Sequence, residues 1–250
     1  MNDSIARLFS VIEYLAESKD WVSLRTMSRD LGLSAASTFR ILDSLKKLDY
    51  VRQEDNSSRY KLGMKIAGIS SKVLANNDIN QVARPFLQKL TSITNETAHL
   101  AVLDGREIVY LDKVDTPQAM SMRSRIGQHA KLYSTAVGKA ILANLPEAKY
   151  KQLVDNLEFV SITPNTIVDR AQFDHEIDKV REQGFSVDNE ENEIGIRCIG
   201  APIFSFTGKV VGAISISGWI ITMTNERLPE LVPVIKDLST KISSALGHRV

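Results

Sequence analysis

The sequence contains a single cysteine, Cys198, in 250 residues, which excludes an internal disulfide and a multi-cysteine zinc centre. It has no apolar run near the roughly 18–20 residues that a membrane span requires. Its opening stretch, MNDSIARLFSVIEYLAE, carries acids among its apolar residues and lacks a small-residue cleavage site. No signal peptide is therefore expected, the cytoplasm is the expected location, and no membrane partner is implied. Gly-rich phosphate loops, HExxH and CxxC are also missing. Nucleotide- and metal-dependent chemistry thus has no foothold, and neither a cofactor nor a metal is expected. There is no large excess of either charge, with 31 Lys and Arg against 30 Asp and Glu, and no internal repeat or low-complexity tract.

What remains is an ordinary globular composition, 43% hydrophobic and 24% charged, in a chain long enough for two domains. The charge is mildly asymmetric. Residues 1–75 carry 12 bases and 9 acids, whereas residues 76–250 carry 19 bases and 21 acids. Such an excess implies nothing about nucleic acid until the bases are placed.

Ser4 is expected to cap a first helix in which Ile5, Leu8, Phe9, Ile12, Leu15 and Ala16 recur at helical spacing. A short second helix follows Ser23, with Leu24, Met27 and Leu31 inward and Gly32 as its left-handed stop. Ser34 then caps a third helix that runs to Leu48. Two helices joined through Gly-Leu-Ser form the turn of a helix-turn-helix. In the third helix Thr38, Ile41, Leu42, Leu45 and Leu48 are expected in the core, and Ser37, Arg40, Ser44 and Lys47 on the opposite stripe. That stripe is either a solvated face or one that captures phosphates and reads bases. The next segment favours the second reading. Residues 50–53 and 59–62 alternate as strands around the turn Asp55-Asn56-Ser57-Ser58, with Arg52, Arg59 and Lys61 outward, which is a basic β-wing. The residues expected on DNA are Arg25, Ser34, Ala35, Ala36, Ser37, Thr38, Arg40, Lys47, Arg52 and Arg59, in a domain covering 1–62.

Residues 64–75 read as an apolar helix between two domains, a connector and dimer contact or simply another core helix, so 63–76 is taken as a linker. Residues 77–250 mix helices and strands. Helices are expected at 82–94, 136–144, 147–156, 171–183 and 228–246, the last bent at Pro233. Strands are expected at 98–103 and 107–113 around Asp104-Gly105-Arg106, and at 120–125, 185–188, 199–206 and 210–217. Hairpins with interspersed helices predict an α+β fold with helices on an antiparallel sheet.

Several segments resemble the isocitrate lyase regulator (IclR) family. They are Leu24-Arg25-Thr26-Met27-Ser28-Arg29-Asp30-Leu31-Gly32-Leu33-Ser34, the third helix, Tyr60-Lys61-Leu62-Gly63, residues 100–104, Tyr133-Ser134-Thr135-Ala136-Val137-Gly138-Lys139, Thr163-Pro164-Asn165-Thr166-Ile167, and the stretch from Asp188 to Cys198. Ala201-Pro202-Ile203-Phe204 and Ala213-Ile214-Ser215-Ile216-Ser217-Gly218 complete the set, in the family's order over nearly the whole chain. The resemblance implies a winged helix-turn-helix regulator with a GAF-like effector-binding and oligomerisation domain over 77–250. It implies a homodimer or homotetramer that binds double-stranded operator DNA, as a repressor, under control of a small carboxylate or sugar acid. Lys131-Leu132 stands where the family often has Leu-Pro. Arg125-Ile126-Gly127 and Val180-Arg181-Glu182-Gln183-Gly184 resemble regulators of 2-keto-3-deoxygluconate and related sugar acids.

Alternation in 210–217 puts Ala213, Ser215 and Ser217 on one strand face, where paired hydroxyls are either solvated or line a polar cavity. The family's pocket falls at these serines. The resemblance therefore implies an effector site made of Ser215, Ser217, Asp188, Cys198 and the turn Tyr133, Ser134, Thr135, Ala136 and Val137. There the start of a helix favours an anion, and Met122 and Ile196 supply apolar wall. Two other readings remain. The second domain could be an oligomerisation scaffold without a ligand. Alternatively, Cys198 with His99, His129 or His175 could form a nucleophile and base, although no nucleophile signature surrounds it.

Overall fold

The computed structural model describes residues 3–55, 57–75, 78–116 and 123–249. The chain divides into two compact units, Met1–Asn76 and Asn77–Val250.

The first unit contains α1 (Asp3–Glu17), β1 (Val22–Ser23), α2 (Leu24–Asp30), α3 (Ala35–Lys47), β2 (Val51–Gln53), β3 (Arg59–Leu62) and α4 (Met64–Ala75). Ser23 and Ser34 cap α2 and α3, accepting from the amides of Thr26 and Ser37. Gly32, at φ +63°, turns the chain between them, a conformation that costs glycine nothing. The three strands pair in the order β1-β3-β2, all antiparallel. The two-residue β1 was not expected; Trp21 precedes it and lies 4.3 Å from the Lys61 ammonium. Val11, Leu15, Met27, Leu42, Leu45, Val51 and Tyr60 make the core. Three helical expectations change. α1 begins at Asp3, so Ser4 lies inside it. Ile5 and Phe9 are exposed because Val11 and Leu15 carry the buried stripe, and Leu48 is exposed because it ends α3 beyond the core. Past Ile66, residues 67–72 of α4 are exposed on every side.

The second unit begins with α5 (Asp78–Thr94), followed by β4 (Thr97–Asp104) and β5 (Glu107–Val114), then β6 (His129–Lys131) and α6 (Ala136–Ala143). It continues with α7 (Glu147–Val154), α8 (Arg170–Gln183), β7 (Ser186–Asn189), β8 (Ile196–Phe204), β9 (Val210–Trp219) and α9 (Leu228–Ala245), which runs through Pro233. The fold is α+β, and its six strands form one antiparallel sheet ordered β6-β5-β4-β9-β8-β7. Alternation decides which face each residue serves. Leu100, Ile199, Ile214 and Ile216 pack with Leu87 and Leu90 of α5 and Ile235 and Leu238 of α9. Ala101, Ile108 and Ala213 face the other way, toward Val137 and Ile141 of α6 and Phe173 and Ile177 of α8. The strand expected at 120–125 falls partly outside the described residues. Residues 117–122 lie outside the described ones, and 123–125 are not strand. Gly127, at φ +84°, redirects the chain so that 129–131 becomes β6 on the edge of β5.

Candidate functional site

The register of the sheet assembles the site. Asp188 of β7 stands opposite Cys198 of β8, and Cys198 opposite Ser217 of β9. One row further on, Gly200, Ser215 and His99 stand side by side across β8, β9 and β4. These residues are small or polar, so the α6-facing side of the sheet is hollowed at this point. Gly200 is required there because a Cβ on it would lie 2.7 Å from the carbonyl of Ala136. The start of α6 therefore rests directly on the sheet, secured by the Ser186 hydroxyl, which donates to the Ala136 carbonyl at 2.6 Å.

Beneath that helix start is a cavity of about 190 Å³ lined by His99, Tyr110, Thr135, Ala136, Val137, Asp188, Ile196, Cys198, Ser215 and Ser217, with Arg123, Ser124, Gln128, Ala130, Asn192 and Glu193 at its other walls. At about 30 Å³ per water in the liquid, this holds some six waters or one small metabolite. Thr135 caps α6 by accepting from the Gly138 amide at 3.2 Å, and its hydroxyl donates to the Lys131 carbonyl at 2.7 Å. The hydroxyl is thereby occupied, and the amides of Ala136 and Val137 become the donors that a helix start offers to an anion.

The charges around the cavity are largely suppressed. Burial raises the Asp188 carboxyl to about 7, with nearby Glu191 adding to the effect, although it accepts the Glu191 amide at 2.8 Å. Burial pushes the Cys198 thiol well up, and Asp188 pushes it further. His99 is lowered to about 3 by burial and by Lys113, so its ring is neutral. Its Nε2 and Nδ1 lie 2.8 and 3.4 Å from the hydroxyls of Ser124 and Ser217. The exposed Arg123 guanidinium lies 3.5 Å from the Glu193 carboxylate at the rim. Behind the wall, fully buried Lys139 bonds Glu191 at 2.7 Å and Glu176 at 3.3 Å.

Not every expected residue reaches this cavity. Tyr133 and Ser134 precede the cap and turn away from it. The Tyr133 hydroxyl donates to the Val160 carbonyl at 3.1 Å while its ring packs on Phe159, and the Ser134 hydroxyl donates to Asn192 Oδ1 at 3.0 Å. Met122 lies outside the described residues. The lining from β4, β5 and the 123–130 segment, His99 and Tyr110 above all, was missed, because only non-local strand pairing brings it there. A nucleophilic Cys198 meets the wrong electrostatics, since nearby carboxyls and burial favour the thiol over the thiolate. His129 pairs instead with Asp104 at 2.8 Å, and His175 is exposed on α8. Among the described residues no cluster of three metal-ligating side chains occurs, and no helix is long and apolar enough to cross a membrane.

In the first unit Arg25, Ser34, Ala35, Ala36, Arg40 and Lys47 are exposed on α2 and α3, as are Arg52 and Arg59 on the wing strands. Lys47 pairs with Asp43 at 2.7 Å. Among the described residues none forms an ion pair with Arg25, Arg40, Arg52 or Arg59. Ser37 is half-buried. Thr38 is fully buried, its hydroxyl donating to the Ser34 carbonyl at 3.1 Å, so it shapes the helix start from inside.

Comparison with known proteins matches residues 4–55 to the IclR helix-turn-helix domain and residues 71–244 to the bacterial transcriptional regulator IclR C-terminal domain. The chain is 35% identical over 245 residues to the HTH-type transcriptional regulator KdgR of Escherichia coli (strain K12), covering 98% of this chain and 93% of that one. It is 31% identical over 244 residues to the HTH-type transcriptional repressor AllR of Salmonella typhi, covering 98% and 90%. Its fold is similar to the crystal structure of the Thermotoga maritima IclR, with a TM-score of 0.87 at 35% identity over 99% of this chain and all of the other.

Proposed function

The chain belongs to the IclR family of bacterial transcriptional regulators, effector-responsive proteins that bind operator DNA, and from that premise we propose that its effector is a small carboxylate or sugar acid held in the cavity beneath α6. One observation carries this reading: the hydroxyls of Ser215 and Ser217, the Asp188 carboxyl and the Cys198 thiol share one cavity with the first amides of α6. A carboxylate there accepts hydrogen bonds from neutral donors and the helix start, without a buried counter-charge to desolvate. The polar wall of His99, Ser124 and Gln128 suits the hydroxyls of a sugar acid.

Residues 1–62 are the DNA-binding domain in this proposal, 63–76 a connector, and 77–250 the effector and oligomerisation domain. Two winged domains of a homodimer, or of a homotetramer, read a pseudo-palindromic operator as a repressor. Effector binding alters how the C-terminal domains pair, and α4 carries that change to the half-site spacing. Its exposed apolar residues, Ile69 among them, support a helix that is covered in the assembly.

Thermal unfolding of the intact protein against a panel of small carboxylates and sugar acids tests the reading. A true effector at about 100 times its Kd stabilises the fold by about 2.7 kcal/mol, and it also changes operator affinity. A flat response across acids of both kinds would remove the carboxylate proposal.

A further inference from the structure

Phe39 is the one large apolar residue that α3 turns outward among the described residues before its C-cap, with 53% of its surface exposed. Thr38, Leu42 and Leu45 already fill the buried stripe of this helix. At 100° per residue, Phe39 projects from the outer side of the first two turns with exposed Ala35 and Ala36 and borders exposed Arg40. Because both alanines are short, the Phe39 ring stands above its neighbours there. Lone exposed apolar residues are common and by themselves signify nothing. This one, however, stands on the reading helix of a DNA-binding fold, beside Arg40 and one turn before the Asp43–Lys47 pair.

The charge decides what covers it. A second copy docked through this face would bring two copies of Arg40 and Lys47 together, while the acid of the same face, Asp43, is already paired with Lys47 at 2.7 Å. Double-stranded DNA meets the same cations with phosphate. The major groove also offers one apolar feature at the level of the base edges, the C5-methyl group of thymine. We propose that Phe39 packs against a thymine methyl in each operator half-site and makes that position thymine-specific, while Arg40 beside it engages the backbone or an adjacent base. This rests on the DNA-binding function and adds a residue that reads sequence without a hydrogen bond.

The test replaces thymine with deoxyuridine, which removes the methyl group and nothing else. Bound sequences are first selected from a random duplex library with the intact protein. Affinity is then measured on duplexes in which each thymine in turn is deoxyuridine. The wild type loses about three- to fivefold at one thymine per half-site, the worth of one buried methyl. In Phe39→Ala that sensitivity disappears, and its affinity for the thymine duplex falls to near that of the wild type for the uridine duplex. Phe39→Leu keeps part of the sensitivity. Lys47→Ala keeps all of it while weakening every duplex alike.

Two results would overturn the proposal: the wild type losing affinity at no thymine replaced by deoxyuridine, or Phe39→Ala retaining the full uridine penalty, whether or not it weakens both duplexes alike. Should Phe39→Ala fold poorly, Phe39→Gln supplies the same comparison. A selection that yields no bound sequence would instead reject operator binding itself, and this inference with it.

Discussion

Asp188 and Cys198 are cross-strand partners on β7 and β8, and both are held toward their protonated forms. Burial and Glu191 raise Asp188 to about 7, and burial and Asp188 raise the thiol. A protonated Asp188 donates a hydrogen bond to an effector carboxylate, whereas an ionised one repels it. Effector affinity should therefore be flat below about pH 7 and fall by up to tenfold per unit above it. Calorimetric titration between pH 6 and 9 checks this, with Asp188→Asn removing the dependence. An affinity independent of pH in the wild type would put the carboxylate elsewhere.

The same shift acts on the fold. Because the folded pKa of Asp188 lies above its ordinary 3.8, the folded state holds a proton that the unfolded state has released between about pH 4 and 7. This contribution to stability is complete below the unfolded pKa and is lost as pH rises through the folded one. Denaturant unfolding of the ligand-free protein across that window should show stability falling with pH, less steeply in Asp188→Asn. The reverse slope difference would mean that Asp188 is ionised in the folded state.

Removing the hydroxyls of Ser215 and Ser217 should cost effector affinity far more than stability. Each hydroxyl bonding an anion is worth about 1.5–3 kcal/mol, so Ser215→Ala and Ser217→Ala should each weaken binding about 10- to 100-fold. The unfolding midpoint should move little in Ser215→Ala and fall modestly in Ser217→Ala, which also takes the hydroxyl from His99 Nδ1. An unchanged affinity in the double variant would misplace the site.

Much of this arrangement was legible in the sequence, where the signal is local. Serines before helices, Gly32 and Gly184 after them, and the alternation that sends Ile214 and Ser215 to opposite faces all act within a few residues. His99 shows no such signal. It becomes a cavity residue only because β4 pairs with β9, more than a hundred residues away, opposite Ser215. Tyr133 illustrates the converse. It lies in the right segment, but one turn of backbone before the Thr135 cap sends its ring to Phe159 instead of the cavity. Spacing alone puts Leu48 in the core, because periodicity carries no information about where the helix outruns the surface beneath it.

Lys139 holds the loop that carries Asn192 and Glu193 to the cavity. Its ammonium is fully buried against Glu191, itself nearly buried. Lys139→Met would leave a buried carboxylate without its partner, a loss of about 3–5 kcal/mol. Adding Glu191→Gln should recover part of that stability, because the uncompensated charge is gone. If the single and double variants unfold at the same denaturant concentration, the pair is not coupled as its geometry implies.

Arg40, Lys47, Arg52 and Arg59 are exposed on one helix and the adjacent wing, and on DNA they should divide into two kinds. A residue that contacts only phosphate sets the salt dependence: each such contact contributes about 0.9 to the slope of log affinity against log salt. Arg52→Ala and Arg59→Ala should therefore each flatten the slope of a dimer by about 1.8 and weaken all sequences alike, because wing residues flank the groove. Arg40 projects from the helix that enters it. Arg40→Ala should cost about 1–3 kcal/mol on the preferred operator and far less on a duplex mutated at the base it reads. Binding isotherms at four salt concentrations, on the preferred and the mutated duplex, separate the two. If Arg40→Ala instead changes the slope and leaves the preference intact, Arg40 is a backbone contact, and the reading of sequence falls to other residues of the same helix face.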